Sequence, residues 1–403
     1  MKLNLNNLRP DFRRDIRREV ASIDYILLLI ITAIVCFSLI SIGNCTLDAA
    51  PQDASFGEKL LMLRDSRYVM LQALWFVTGV IIMFAVAIIF EREFYDNLIW
   101  VYYALIVGAL AILWVIGEST RGAVSWFTLG ERGLQPSEFC KIAIILCLAK
   151  LLSAQDEKIT RFNQIVPAVA MFAIPFILIM LQPDLGTALV CIAIFVGMIF
   201  VAGVNFKIIF TGVGAAAIAI PLAIKYVLND EQRLRLNGFF GMSGASTSDD
   251  VYQLTQSKLA IGSGGMRGNG FLTAGSISQL DYVPDQHTDF IFSATAEAFG
   301  FVGASVLIGL YLLLLLRLLY MAHKTPDRFG KLVIVGVCSM FFFHIFENIG
   351  MTIGIMPITG IPLPFMSYGG SNMWTNMICI GLAQNVYCRR NRVRYSNQNK
   401  LLL

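Results

Sequence analysis

The chain predicts an all-α integral membrane protein of about ten transmembrane helices. Three observations carry that expectation. First, 57% of the 403 residues are hydrophobic and only 14% are charged, with a mean hydropathy of +0.68, well above that of a domain with a solvated surface. Second, residues 25–42, 68–90, 97–116 and 185–204 contain no Asp, Glu, Lys or Arg, and each is long enough to cross ~30 Å of hydrocarbon as a helix. Third, Lys and Arg gather at one set of connections, as the positive-inside rule requires. Backbone polar groups in lipid must be satisfied within their own segment, which favours helices, and the alternating pattern of a barrel is absent.

The elements follow in order. The first apolar stretch comes after Arg9, Arg13, Arg14, Arg17 and Arg18 and has no small-residue cleavage site behind it, so it is expected to remain as span one. Further spans are read at 137–152, 165–181, 208–224, 290–316, 332–355 and 371–386. Ten spans put both termini on one side. Placing them in the cytoplasm collects Arg92, Lys150, Lys158, Arg161, Lys207, Arg317, Lys324, Arg328 and Lys331 with the two basic tails on the inner side. The expected organisation is a basic tail at 1–24, a membrane domain at 25–388 and a basic tail at 389–403. Within the domain a large outer loop, 225–288, separates spans seven and eight, and a second long outer segment occupies 43–67.

Seven of the eight cysteines fall in or beside spans, Cys45 alone is placed outside, and no C-x-x-C spacing occurs, so apolar packing is expected rather than disulfides or zinc. In the large loop, Asp249-Asp250 precedes a capped amphipathic helix at 251–261. A glycine-rich run at 262–270 follows, which is either a flexible turn or a backbone cradle for phosphate. Prolines interrupt Leu134-Gln-Pro-Ser-Glu138 and Leu181-Gln-Pro-Asp-Leu185, and residues 360–370 read as an irregular loop lining a cavity.

Ionisable groups at membrane level are costly and usually functional. Glu138 and Lys141 share one helix face and pair either as a register-fixing ion pair or as part of a site. Asp184 is either a site residue or a cap for span six, and Glu297 and Glu347 favour packing. Apart from His344 and Glu347, these groups are placed in the outer half. Asp289 resists the bland readings best, because it follows His287 and Thr288 at the end of a polar loop and precedes a very apolar run; a helix cap is its main rival. Several carboxylates and a lysine facing one outer cavity suit two functions. One is a proton-coupled transporter or flippase; the other is an intramembrane enzyme with a carboxylate base and basic groups for a phosphate. The unusual loops lie on one face rather than at the midplane of both halves, which favours the enzyme.

At these loops the chain resembles the SEDS family (shape, elongation, division and sporulation). The motifs are Gly122-Ala-Val-Ser-Trp126, Gln135-Pro-Ser-Glu-Phe-Cys-Lys141, Gln182-Pro-Asp-Leu-Gly-Thr187, Tyr252-Gln with Gln256-Ser and Ala260-Ile-Gly-Ser-Gly-Gly265, His287-Thr-Asp-Phe-Ile-Phe292, Asn348-Ile-Gly-Met351 and Pro362-Leu-Pro-Phe-Met-Ser-Tyr-Gly-Gly-Ser371. Short tails and the wording of the second and last motifs resemble the elongation branch more than the division or sporulation branches. The resemblance implies a SEDS fold in the bacterial inner membrane and a peptidoglycan glycosyltransferase that polymerises lipid II into β-1,4-linked glycan strands during cell elongation. A lipid II flippase and a division-type polymerase are the alternatives.

The same resemblance implies that Asp289 is catalytic, as the base on the acceptor hydroxyl. Glu138, Lys141, Gln135, Ser137, Trp126, Arg121, Asp184, Gln256, Lys258, Arg267, His287, Thr288 and Ser367 are implied as supporting or substrate-binding residues. No cofactor is required by the pattern, although a divalent cation, Mg or Mn, is a candidate for neutralising pyrophosphate. A class B penicillin-binding protein is the implied partner, membrane lipid the surroundings, and no nucleic acid is expected. The chain departs from the family pattern in a longer 43–67 segment, in Ser125 where arginine is expected, with Arg121 or Arg132 as substitutes, and in Glu347 where a neutral residue is expected.

Overall fold

The computed structural model describes residues 19–51, 53–89, 92–116, 127–129, 132–155, 159–226, 233 and 248–390. Every one of the ten expected spans is a helix: α1 (Tyr25–Thr46), α3 (Arg67–Ile89), α4 (Arg92–Ile116), α5 (Pro136–Ser153), α6 (Phe162–Leu181), α7 (Leu185–Val201), α8 (Phe206–Tyr226), α10 (Ile291–Lys324), α11 (Arg328–Ile353) and α12 (Gly370–Cys388). Between them lie two shorter helices, α2 (Phe56–Met62) and α9 (Ser248–Ser263). One element departs from the all-helical expectation. Two short strands pair antiparallel, β1 (Phe127–Leu129) with β2 (Arg132–Leu134), directly before α5.

Six of these helices, α1, α3, most of α4, α6, α10 and α11, are long and apolar enough to cross a membrane. The remainder are shorter or more polar for a physical reason. Helix α12 carries Asn372, Thr375, Asn376, Gln384 and Asn385, all buried, because it packs inside the bundle rather than against lipid. Helix α5 is likewise interior and holds Glu138 and Lys141 among buried apolar neighbours. By contrast α3 exposes Met70, Leu74, Val77 and Ile81, a stripe at helical spacing that suits contact with acyl chains.

The centre of the molecule is the seam of α5, α7, α10, α11 and α12, with α3 laid along α12 and α1 along α10. All eight cysteines are free thiols. Cys45 lies in the last turn of α1 rather than outside it, because the helix continues past the apolar run to Thr46.

Residues 43–67, unusual in length, hold the end of α1, then α2, whose capping box joins Ser55 and Glu58, and a 3-10 turn at Leu63–Asp65. Lys59 donates to the Phe271 carbonyl at 2.9 Å, and Leu47, Ala54, Met62 and Leu63 pack round Ala50, Phe271 and Leu272, so this segment clamps the end of the large loop.

The glycine-rich run is neither a flexible turn nor an open phosphate cradle. Helix α10 breaks at Gly300, whose backbone is left-handed (φ 65°), and the carbonyls and N–H groups freed there are taken up by the run. Asn269 N–H donates to Glu297 O, Gly270 N–H to Ala298 O, and Phe301 N–H to Gly265 O, at 2.8–3.1 Å. A Cβ on Gly264 or Gly268 would stand 2.2 Å from the carbonyl oxygens of Ala296 and Ala298, which is why small residues recur.

Candidate active site

Asp289 sits in the turn before α10, half-buried, and does not cap that helix: the capping position is Phe290, with no side-chain hydrogen bond. Its backbone is held from both sides. Its N–H donates to Asp285 O at 3.0 Å, and its carbonyl accepts from Asn348 Nδ2 at 2.8 Å. The same Asn348 amide donates to Ile361 O at 2.8 Å, tying the turn to the 354–369 loop. That loop is irregular, as expected, and its Ile361, Leu363, Phe365 and Met366 are buried. Ser367 Oγ donates to Thr288 O at 2.6 Å and accepts from Leu363 N–H, while Tyr368 N–H donates to His287 O at 3.0 Å. His287, Thr288 and Asp289 are therefore each fastened through a main-chain carbonyl, and Thr288 Oγ1 also donates to Asp285 O at 3.1 Å. Asp289 Oδ2 passes over Gly360, where a Cβ would lie only 3.3 Å away.

A second network lies beneath. Lys141 Nζ donates to Glu138 Oε1 at 2.7 Å and contacts His344 Nε2 at 3.0 Å, while His344 Nδ1 meets Pro362 O at 3.1 Å. The ion pair of α5 thus supports the loop that supports Asp289. Lys141 is 0% exposed. Its ammonium is engaged by two interior partners, Glu138 and His344. His344 and Glu347 lie at the same end as the other groups, contrary to the expectation from sequence, because both fall in the last three turns of α11, next to the loop.

Three of the carboxylates expected to face an outer cavity, Glu297, Glu347 and Asp184, find donors inside the fold. Glu297 is buried and accepts from the N–H groups of Ile277 and Ser278 at 2.6 and 2.9 Å, so it anchors the large loop. Glu347 is buried and accepts from Thr359 Oγ1 at 2.9 Å. Asp184 caps α7 through Thr187 N–H at 3.0 Å and also accepts, at 3.4 Å each, from Gln135 Nε2 and Ser137 Oγ at the head of α5. It joins two of the proline-containing motifs. Each carboxylate finds donors inside the fold, as burial of a charge requires.

The chain matches the family model FTSW_RODA_SPOVE, described as cell cycle protein, over residues 25–392. It belongs to the SEDS family. It is 33% identical to the peptidoglycan glycosyltransferase RodA of Treponema pallidum over 93% of this chain and 99% of that protein. It is 36% identical to the peptidoglycan glycosyltransferase MrdB of Escherichia coli K12 over 77% and 83%, respectively. Among solved structures, a chain from work on coordination of polymerization and crosslinking by a peptidoglycan synthase complex superposes with a TM-score of 0.74 at 29% identity, covering 93% of this chain and 98% of that one. RodA of Thermus thermophilus superposes with a TM-score of 0.65 at 28% identity, covering 91% and 97%.

In this SEDS fold the remaining expected site residues are dispersed. Lys258 is exposed on α9 and lays its terminal atoms over Gly354, at the end of α11, rather than over Asp289. Gln256 is half-buried on the same helix. Arg267 is exposed in the run that packs on the α10 break. Arg121 and Trp126 lie outside the described residues, and the backbone of Arg132 belongs to β2. Sequence reasoning missed Asn348 as the residue bridging turn and loop, although it stands in a family motif, and it missed Tyr68, which the fold brings against His287 with ring centroids 5.2 Å apart. Tyr68 follows the unusual 43–67 segment, and no motif marked it.

Proposed function

We propose that this SEDS protein is a peptidoglycan glycosyltransferase that polymerises lipid II into β-1,4-linked glycan strands, working at the outer face of the bacterial inner membrane during cell elongation. The single observation that carries the assignment of chemistry is Asp289: a partly exposed carboxylate at the end of a polar loop, on a turn braced by Asn348, Ser367 and Tyr368. The basic tails and inner connections support the outer placement. Curated relatives named as RodA and MrdB peptidoglycan glycosyltransferases support the activity and the elongation role.

Asp289 accepts the proton of the acceptor's 4-hydroxyl as that oxygen bonds to C1 of the donor sugar. The C1–oxygen bond to undecaprenyl pyrophosphate breaks, its electron pair leaves with the pyrophosphate, and the anomeric centre inverts. The carboxylate takes the proton of the hydroxyl as the new bond forms. Among the described residues no group of three His, Cys, Asp or Glu side chains is placed to hold a metal ion. Lys141, Arg121, Arg267 or a divalent cation supplies the positive charge that departure of the pyrophosphate needs. A class B penicillin-binding protein is the proposed partner, supported by the similarity to a chain of a synthase complex that coordinates polymerization and crosslinking.

The test supplies labelled lipid II in detergent, where translocation has no meaning, to the purified protein with its transpeptidase partner. Asp289→Asn is expected to lower strand formation by at least ~100-fold, the scale of a lost general base, while the melting temperature stays within a few degrees. Strand formation surviving in this variant sinks the catalytic assignment. Wild-type protein that makes no polymer beside an active partner favours the flippase.

A further inference from the structure

Aromatic side chains gather beside the catalytic turn. The Tyr68 ring stands 5.2 Å from His287 and 5.1 Å from Tyr368, and a His287–Tyr368 separation of 5.7 Å closes the triangle. Trp75 backs Tyr368 at 4.9 Å. Tyr68 and Trp75 are seven residues apart on α3, hence on one face. The rings meet at 50–69°, so none is hidden by parallel stacking against its neighbour. Tyr68 is 42% exposed, and His287 and Tyr368 are only partly buried.

A cluster that served packing alone would be closed over and would need neither phenol nor imidazole. This one is open, polar at its edges, and two residues from Asp289. The 354–369 loop joins them, since Gly360 lies under the Asp289 carboxylate and Tyr368 is fastened to His287 O. A pyranose ring has the complementary chemistry: apolar C–H faces for an aromatic surface and a rim of hydroxyls for phenol and imidazole groups.

We propose that Tyr68, His287 and Tyr368 form a platform that seats the acceptor hexosamine ring with its reactive hydroxyl toward Asp289. The inference rests on the polymerase reading. The acceptor sugar is assigned because its hydroxyl must reach the base, and the platform adjoins that base. Burial lowers the pKa of His287 against the raising influence of Asp285 and Asp281, which keeps a neutral imidazole able to both donate and accept.

The experiment measures binding of a soluble, lipid-free GlcNAc–MurNAc tetrasaccharide to the purified full chain, beside polymerisation with the partner present. Tyr68→Ala and Tyr68→Leu are expected to weaken binding about tenfold, whereas Tyr68→Phe stays within about twofold of wild type. In polymerisation the first two raise KM by a similar factor and keep kcat at saturation. Asp289→Asn is expected to bind the tetrasaccharide as wild type does while forming no strand. If Tyr68→Leu binds as well as wild type, the cluster is packing and the platform is refuted. Wild-type chain that polymerises but shows no measurable saccharide binding refutes it as well. Wild-type chain that binds the saccharide but makes no polymer refutes the polymerase reading and leaves the platform standing.

Discussion

His287 is a site residue outside the spans whose ionisation the fold biases, and the consequence can be worked through. Burial holds the imidazole below its usual value of about 6.5, only partly offset by Asp285 and Asp281. A group whose folded value lies below its unfolded one contributes its full stability above the unfolded value and loses it as pH falls through the folded one. The melting temperature in detergent is therefore expected to drop as pH falls below about 6.5, and His287→Gln is expected to flatten that drop, as differential scanning fluorimetry checks. Lys141 and Glu138 obey a different rule. Removing one partner strands a buried charge, so Lys141→Met alone is expected to cost about 3 kcal/mol, and pairing it with Glu138→Gln to recover most of that loss. A double variant no more stable than Lys141→Met contradicts the ion-pair role. The pairing itself was legible in the sequence, since three residues on a helix bring the groups together. Its third member, His344, was not, because 203 residues separate it from Lys141 and only the packing of α5 on α11 joins them.

At the scale of elements, the break in α10 and the glycine run are one device. A helix interrupted at Gly300 leaves polar groups that must be satisfied, and residues 265–270 satisfy them because no Cβ keeps the backbones apart. Gly264→Ala places a methyl carbon 2.2 Å from Ala296 O and is expected to cost about 1–3 kcal/mol, read as a lowered melting midpoint. Gly262, whose Cβ would meet nothing, serves as the control: Gly262→Ala should leave the midpoint unchanged. Glycine spacing in the sequence announced something about backbone, with a flexible turn the favoured reading over a phosphate cradle until the partner helix was in view. The hairpin before α5 and the helix α2 within 43–67 were illegible for a related reason. Short elements draw their stability from what they pack against, and α2 packs on Phe271 and Leu272, more than 200 residues away.

Across the whole molecule, the end opposite the site is closed by Asp24. It caps α1 through Leu27 N–H, pairs with Arg317 of α10 at 2.7 Å, and exchanges two backbone bonds with Gln384 of α12 at 3.0 Å each. Asp24→Ala should lower the melting midpoint, with a cost of roughly 2–3 kcal/mol given the partial exposure of Arg317, yet leave KM for lipid II unchanged. A raised KM would show that this closure reaches the site. The sequence by itself determined the membrane class, the ten helical segments, the family and the prominence of Asp289, because lipid demands long apolar helices and punishes stray charge, and both leave local marks. Only the tertiary structure decided which carboxylates find donors inside the fold, that Lys141 faces inward, and that Tyr68 and Asn348 stand at the turn carrying His287 and Asp289. Those outcomes depend on contacts between segments far apart in the chain, and no local pattern encodes them.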